Sequence, residues 1–345
     1  FYKIYEEEGY NANEIPGLIL ENNLFGIDID ERAVQLASFA LAMKARSYYN
    51  RFLRKPVQPH VIALENIIEE AVKEAVKLPL NVNGKKIERH KDLSLHLLTQ
   101  ADNFGSLIRI EEEEVAALHI TPGVWQNQQQ RLIDQATYLS REYHCVATNP
   151  PYMGQKGMNS ELKNFLQTFY ERSKTDLMAC FMERSLAFNS KKGKMAMINQ
   201  HSWMFLGSYE DLRPHLIETV QFESMLHLGA HTFPEIGGEI VQNTAFVFGN
   251  YEPVSKGVFI RLTEIDTPQI KEIKTLETIN KPDCGLLYIA TQKDFEKIPG
   301  SPIGYWLTKA IIESFSRKNI SMSGISSPGV RTGRAVRLWQ RAPGR

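Results

Sequence analysis

Short runs of consecutive apolar residues alternate along the chain with longer stretches in which apolar residues recur every three or four positions. The first pattern predicts buried strands and the second amphipathic helices. NNLFGIDIDERAVQLASFALAMKAR, residues 22–46, holds one of each. Leu24 to Ile29 reads as a strand. Asp30 then suits an N-cap with Glu31 in the first turn, and Ala33, Leu36, Ala37, Ala40 and Leu41 carry the helical spacing. A second strand is predicted from His60 to Ile67, with a helix from Ile68 to Lys77. The polar stretch LPLNVNGKKIERHKDLS, residues 78–94, reads as a surface loop turning at Asn83-Gly84. NFGSLIRI is a strand or an extended loop, the four glutamates of EEEEVAALHI open a helix on a solvated face, and Gln128 to Arg141 is helical.

HCVATN, residues 144–149, is a third strand, followed by a loop with Gly154 and Gly157. SELKNFLQTFYERS predicts a helix, and a further helix is capped near Thr175 with Met178, Phe181 and Met182 on its core face. Lys191, Lys192 and Gly193 form a turn before a strand from Met195 to Asn199. FESMLHLG and VQNTAFVFGN predict two strands paired antiparallel at one edge of the sheet. Strands leading into helices are the grammar of an α/β doubly wound sheet. The pattern weakens after Asn250. Residues 1–250 are therefore expected to form the core, with a helical and loop insert at about 80–140. Residues 251–345 are expected to be a connector and the start of a further region.

Composition adds little to this. The 345 residues carry 40 basic and 40 acidic side chains, a balance that neither demands nor excludes a nucleic-acid partner. No apolar run approaches the roughly 20 residues of a membrane span. The three cysteines, Cys145, Cys180 and Cys284, give neither a disulfide framework nor zinc spacing, so a cytoplasmic protein is expected. His227 and His231 are four apart, but Gly229 between them argues against a helix; they read as core or loop histidines. The arginine-rich tail is expected as a basic arm or an aberrant end.

The candidate chemistry lies at the end of the third strand, in Asn149-Pro150-Pro151-Tyr152. Such a tetrapeptide arises by chance in about one chain in a thousand of this length. In open α/β sheets, ligands bind beyond the C-terminal ends of the strands. The prolines fix φ and keep the preceding residues extended, so the Asn149 amide and the Pro150 carbonyl are aimed together. Two such acceptors can hold a planar amino group and leave its lone pair available for attack. Tyr152 offers a face on which a ring can stack. The bland alternative is a tight turn after a strand. Asp28, at the end of the first strand, suits the two hydroxyls of a ribose, and Ile29 suits the face of an adenine. Asp30 reads as the helix cap.

In chain order, FGIDID-ERAVQLA, VATNPPYMG, SKTDLMACFMERSL and KKGKMAMINQHSW resemble the amino-group DNA methyltransferases that make N6-methyladenine. NPPYMGQKGMN and ADNFGSLI further resemble the PglX-type adenine methyltransferases of BREX phage-defence systems. The resemblance covers roughly residues 1–330. It implies a Rossmann-like sheet with helices on both faces, S-adenosyl-L-methionine as methyl donor, double-stranded DNA as partner and a target adenine flipped into the pocket. It also implies other phage-defence subunits as partners. Carried over, Asn149 and Pro150 hold the adenine N6, Tyr152 stacks on the base and Asp28 binds the donor ribose. Asp102 or Glu65 contacts the donor adenine. Phe233, in HTFPEI, is the second face of the base sandwich or else a core aromatic at a strand end.

The family's first motif, a Gly-rich turn after the first strand, is missing: the chain contains no G-x-G. The expectation is a fragment that begins just after that turn, with the target-recognition region beyond its C-terminus and the sheet incomplete at its N-terminal end. Two other readings stay open. One is a methyltransferase acting on a protein glutamine amide, which also presents a planar amide nitrogen. The other is a non-catalytic DNA-binding or assembly remnant.

Overall fold

The computed structural model describes residues 1–233 and 241–317. The chain divides into two compact units, Phe1–Arg141 and Glu142–Arg345. The first unit contains α1 (Tyr2–Glu7), α2 (Ile15–Asn22), β1 (Phe25–Asp28), α3 (Glu31–Tyr48), β2 (His60–Ala63), α4 (Glu69–Ala75), β3 (Leu80–Val82), β4 (Lys85–Ile87), α5 (Ala101–Phe104), α6 (Glu112–Ala116) and α7 (Gln126–Ser140). The second contains β5 (Tyr143–Thr148), α8 (Ser160–Phe169), α9 (Leu177–Ala187), β6 (Asn189–Gln200), α10 (Leu212–Thr219), β7 (Gln221–Gly229), β8 (Asn243–Gly249), β9 (Gly257–Arg261), α11 (Pro268–Asn280), β10 (Leu287–Ala290) and α12 (Lys309–Arg317).

In the first unit β1 and β2 pair in parallel, with Phe25 opposite His60 and Asp28 opposite Ala63. A parallel pair needs a crossover, and α3 supplies it. Asp30 caps α3 as expected, its carboxylate accepting from the Arg32 N–H at 2.9 Å. Both strands are shorter than the apolar runs that predicted them. Residues 78–94, expected as a loop, hold the β3–β4 hairpin. The turn was placed correctly: Asn83 and Gly84 both take positive φ, as a two-residue primed turn requires. The flanking Leu80, Val82 and Ile87 are too few to register as strands in the sequence. NFGSLIRI forms no strand: Asn103 and Phe104 end α5, a 3-10 turn runs from Gly105 to Leu107, and the chain becomes extended only at Ile108.

The second unit is built on a six-stranded mixed sheet in the order β10-β9-β7-β8-β6-β5. β5 runs parallel to β6, and β8 is antiparallel to both β6 and β7. β5, β6 and β7 therefore end on the same side of the sheet. β7 and β8 pair antiparallel as expected, but they are interior strands. The short runs Gly257–Arg261 and Leu287–Ala290, in the region read as a connector, add β9 and β10 outside them. Lys191–Gly193 is a bulge inside β6 and not a turn before it: the register jumps from Tyr143/Asn189 to Cys145/Lys194, and Lys192 takes φ 66°.

The core of this unit is rich in methionine and aromatic residues. Met178 and Met182 of α9 pack with Met195 and Met197 of β6, Phe222 of β7 and Phe246 and Phe248 of β8. Phe222 and Phe248 stack at 4.3 Å. Each such burial contributes roughly 1.5–3 kcal/mol, enough in sum to hold the strand ends as a rigid platform.

Candidate active site

The first unit brings together the residues expected to bind the donor. Asp28 is the last residue of β1 and is exposed. Its backbone carbonyl accepts from the Leu64 N–H at 2.8 Å, which aligns the ends of the two parallel strands. One of its carboxylate oxygens accepts from the Asp30 N–H at 2.9 Å. That bond fixes the carboxylate and leaves the other oxygen available. Ile29 follows with 55% of its surface exposed, an apolar patch beside a strand end.

Gly105 packs on Ile29. It has φ +55°, and a Cβ there would lie 3.2 Å from Ile29 Cγ2. Gly105 is thus required both by its backbone and by the close approach. The same segment is tied to the end of β2 through the Asp102 N–H, which donates to Asn66 Oδ1 at 3.0 Å. The structure therefore draws the Asp102 segment to Ile29. It also separates the two acids the sequence left open. The Glu65 carboxylate pairs with Arg131 at 2.5 Å. The Asp102 carboxylate is exposed and has no hydrogen-bond or ion-pair partner among the described residues.

The second unit carries the tetrapeptide. Asn149 leaves the end of β5 exposed, Pro150 is buried, and Pro151 and Tyr152 are exposed. The Tyr152 ring is 38% accessible, and its hydroxyl donates to Asn149 Oδ1 at a long 3.5 Å. Partial burial pushes the phenol above its ordinary pKa, so the ring is neutral. The loop beyond is anchored. The Met153 carbonyl accepts from the Leu177 N–H at 3.0 Å, and Gly154 bridges to Asp176. Asp176 caps α9 by accepting from the Met178 N–H at 3.0 Å and also accepts from the Met153 N–H. Burial raises its pKa against those bonds.

The sequence placed this cap near Thr175. Asp176 was missed as a holder of the tetrapeptide, and an Asp one residue before an apolar helical run was the available signal.

Phe233 lies four residues past the end of β7 and is 37% exposed, so it is not a core aromatic. The strands that feed it and Asn149 end on the same side of the sheet, three strand positions apart, or about 14 Å at ordinary spacing. His227 is in the β7 core. It bonds to His201 at 2.8 Å and to Tyr305 at 2.9 Å. No helix among the described residues is long and apolar enough to cross a membrane.

A family model described as Eco57I restriction-modification methylase matches residues 22–233. The adenine-specific methyltransferase BrxX of Escherichia coli O9:H4 (strain HS) is 38% identical over 346 residues, covering 90% of this chain and 28% of that protein. The adenine-specific methyltransferase PglX of Lacticaseibacillus casei (strain Zhang) is 34% identical over 348 residues, covering 96% and 29%. The chain thus spans less than a third of the length of these curated relatives. Among solved structures, the type I restriction-modification methyltransferase subunit from Streptococcus thermophilus aligns with a TM-score of 0.38 at 13% identity, over 84% of this chain and 56% of that one.

Proposed function

This chain belongs to the Eco57I restriction-modification methylase family, and we propose that it is the catalytic core of a site-specific DNA methyltransferase acting on the N6 of adenine. The parent system is a phage-defence one, the partners are double-stranded DNA and further subunits of that system, and the protein is cytoplasmic. The observation that carries the reading is Asn149-Pro150-Pro151-Tyr152 at the C-terminal end of β5, with an exposed amide and an exposed ring.

The residues of the first unit fit S-adenosyl-L-methionine. The fixed, exposed carboxylate of Asp28 suits two ribose hydroxyls, the exposed Ile29 on Gly105 suits an adenine face, and the unpaired Asp102 suits that adenine's amino group. The donor, when bound, supplies an electrophilic methyl group. Asp102 is the better candidate of the two acids because Glu65 is engaged by Arg131.

In the second unit Asn149 Oδ1 and the Pro150 carbonyl accept the two N–H bonds of the flipped adenine's amino group. They draw electron density onto the nitrogen and orient its lone pair. Tyr152 stacks on one face of the base, and Phe233 on the other. No residue needs to act as a strong base, because the amino group sheds its proton only after the new N–C bond has formed.

The test is methyl transfer to double-stranded DNA free of N6-methyladenine, read as methylated nucleoside by mass spectrometry. Wild type should produce N6-methyladenine. Asn149→Ala, which removes one of two aimed acceptors, should lower the rate by about 10²–10³, as loss of one preorganised polar contact does elsewhere. Methylation of a protein glutamine with none in DNA would replace the reading, and a wild-type chain without transfer to either substrate would overturn it.

A further inference from the structure

α11 is turned the wrong way round for an ordinary helix. Ile270, Ile273, Leu276 and Ile279 are exposed, while Lys271 and Thr278 are buried. Lys271 is 3% exposed. Its position is costly on two counts. A buried ammonium loses its hydration, and in the first turn of a helix the macrodipole disfavours a cation. No carboxylate lies within ion-pair distance of it among the described residues; burial pushes the amine below its ordinary pKa, with Asp266 acting against that.

What the ammonium reaches is the end of β7. Nζ donates to the Leu228 carbonyl at 2.6 Å and to the Ala230 carbonyl. Between these acceptors sits Gly229, at φ +71°, where a Cβ would lie 2.8 Å from Thr263 Cα. His231 takes φ +54°, and the Thr232 hydroxyl donates back to the Gly229 carbonyl at 3.1 Å. Residues 228–232 thus carry the chain from the bulged last residues of β7 out of the sheet in one specified shape, with two of their carbonyls held by a single cation. The next residue is Phe233.

Resting on the proposed function, we infer that Lys271 is a positioning residue for the base pocket: its ammonium holds the Leu228–Ala230 turn and thereby sets the ring of Phe233 against the flipped adenine. An apolar side chain would pack α11 at lower cost. Directional donors on two carbonyls are what a lysine adds.

The test uses the full chain with Lys271→Met, Lys271→Arg, Phe233→Ala and the double variant Lys271→Met/Phe233→Ala. Amide hydrogen exchange of residues 228–233 and steady-state methylation of double-stranded DNA free of N6-methyladenine are measured. In Lys271→Met, protection of 228–233 should be lost and kcat should fall about tenfold or more, since small misplacements cost that much. The KM for S-adenosyl-L-methionine should stay within about twofold, because the donor residues are in the other unit. Lys271→Arg should restore part of both losses. The double variant should be no slower than Phe233→Ala alone, the signature of two residues acting through one contact. Unchanged protection in Lys271→Met, unchanged kcat, or additive losses in the double variant would each overturn the inference. A wild-type chain that methylates no DNA strikes the parent reading instead. The exchange experiment then decides this one, with unchanged protection overturning it.

Discussion

His201 Nδ1 and His227 Nε2 are 2.8 Å apart, one hydrogen bond between two imidazoles at the ends of β6 and β7. His227 continues to the Tyr305 hydroxyl at 2.9 Å. One ring donates and the other accepts, so both cannot be protonated at once, and the buried pair is neutral. Burial enforces this: it lowers the pKa of His201 from 6.5 to about 4 and that of His227 well below 6.5.

The sign of the pH dependence follows. The unfolded chain takes up these protons as pH falls through about 6.5, and the folded one does not until about 4. Stability of the second unit is therefore lost between those values and levels off below the lower one. For His201 alone the displacement amounts to about 3 kcal/mol. Urea midpoints measured from pH 8 to pH 4 should fall mostly below pH 6.5, and His201→Gln should flatten the curve. A midpoint constant over that range would refute a buried neutral pair.

Gly105→Ala tests the proposed donor site of the first unit. At φ +55° and ψ −146°, outside the left-handed helical well, the new Cβ carries a strain of about 1–3 kcal/mol. It also meets Ile29 Cγ2 at 3.2 Å, so Ile29 must shift by a few tenths of an ångström. The expected result is a lower thermal midpoint together with weaker binding of S-adenosyl-L-methionine by calorimetry. Unaltered affinity in a destabilised protein would remove Ile29 from the donor site.

How much of this was legible in the sequence depended on range. The β1–α3 pair and the Asp30 cap were readable because cap, period and apolar run all lie within 25 residues of chain. The Asn149–Tyr152 corner was readable because proline fixes geometry locally. What was hidden depended on distant partners. β9 and β10 are five and four residues long and become strands only by pairing with β7 and with each other. The hairpin of β3 and β4 is three residues on each side, below the length at which alternation shows. The place of Lys271 was hidden, because nothing in its own neighbourhood reveals that its partners are 41 and 43 residues upstream. Glu65 and Asp102 were separable only by seeing Arg131 reach Glu65.

Those two acids give a direct comparison. If Asp28 holds the ribose and Asp102 the donor adenine, Asp28→Ala should weaken S-adenosyl-L-methionine binding by about 1.5–3 kcal/mol, roughly ten- to a hundredfold. Asp102→Ala should cost somewhat less. Glu65→Ala removes an exposed ion pair, worth about 0–1 kcal/mol, and should leave affinity nearly unchanged. Equal losses for Asp102→Ala and Glu65→Ala in calorimetry would contradict the assignment.

Asp176 is the remaining test, and its two variants separate geometry from charge. The side chain accepts from the N–H groups of Met178 and Met153, and its backbone bridges to Gly154. It therefore joins the start of α9 to the loop that follows Tyr152. Asp176→Ala removes an N-cap, at about 1 kcal/mol, and releases the Met153 end of the tetrapeptide loop. Stability should fall modestly while the methylation rate falls more, by about ten- to a hundredfold, because aim and not binding is lost. Asp176→Asn keeps an acceptor oxygen. Burial already works against the carboxylate's charge, so the amide should retain most of the wild-type rate. If Asp176→Asn were instead as slow as Asp176→Ala, the carboxylate's charge, and not its position, would be what the site requires.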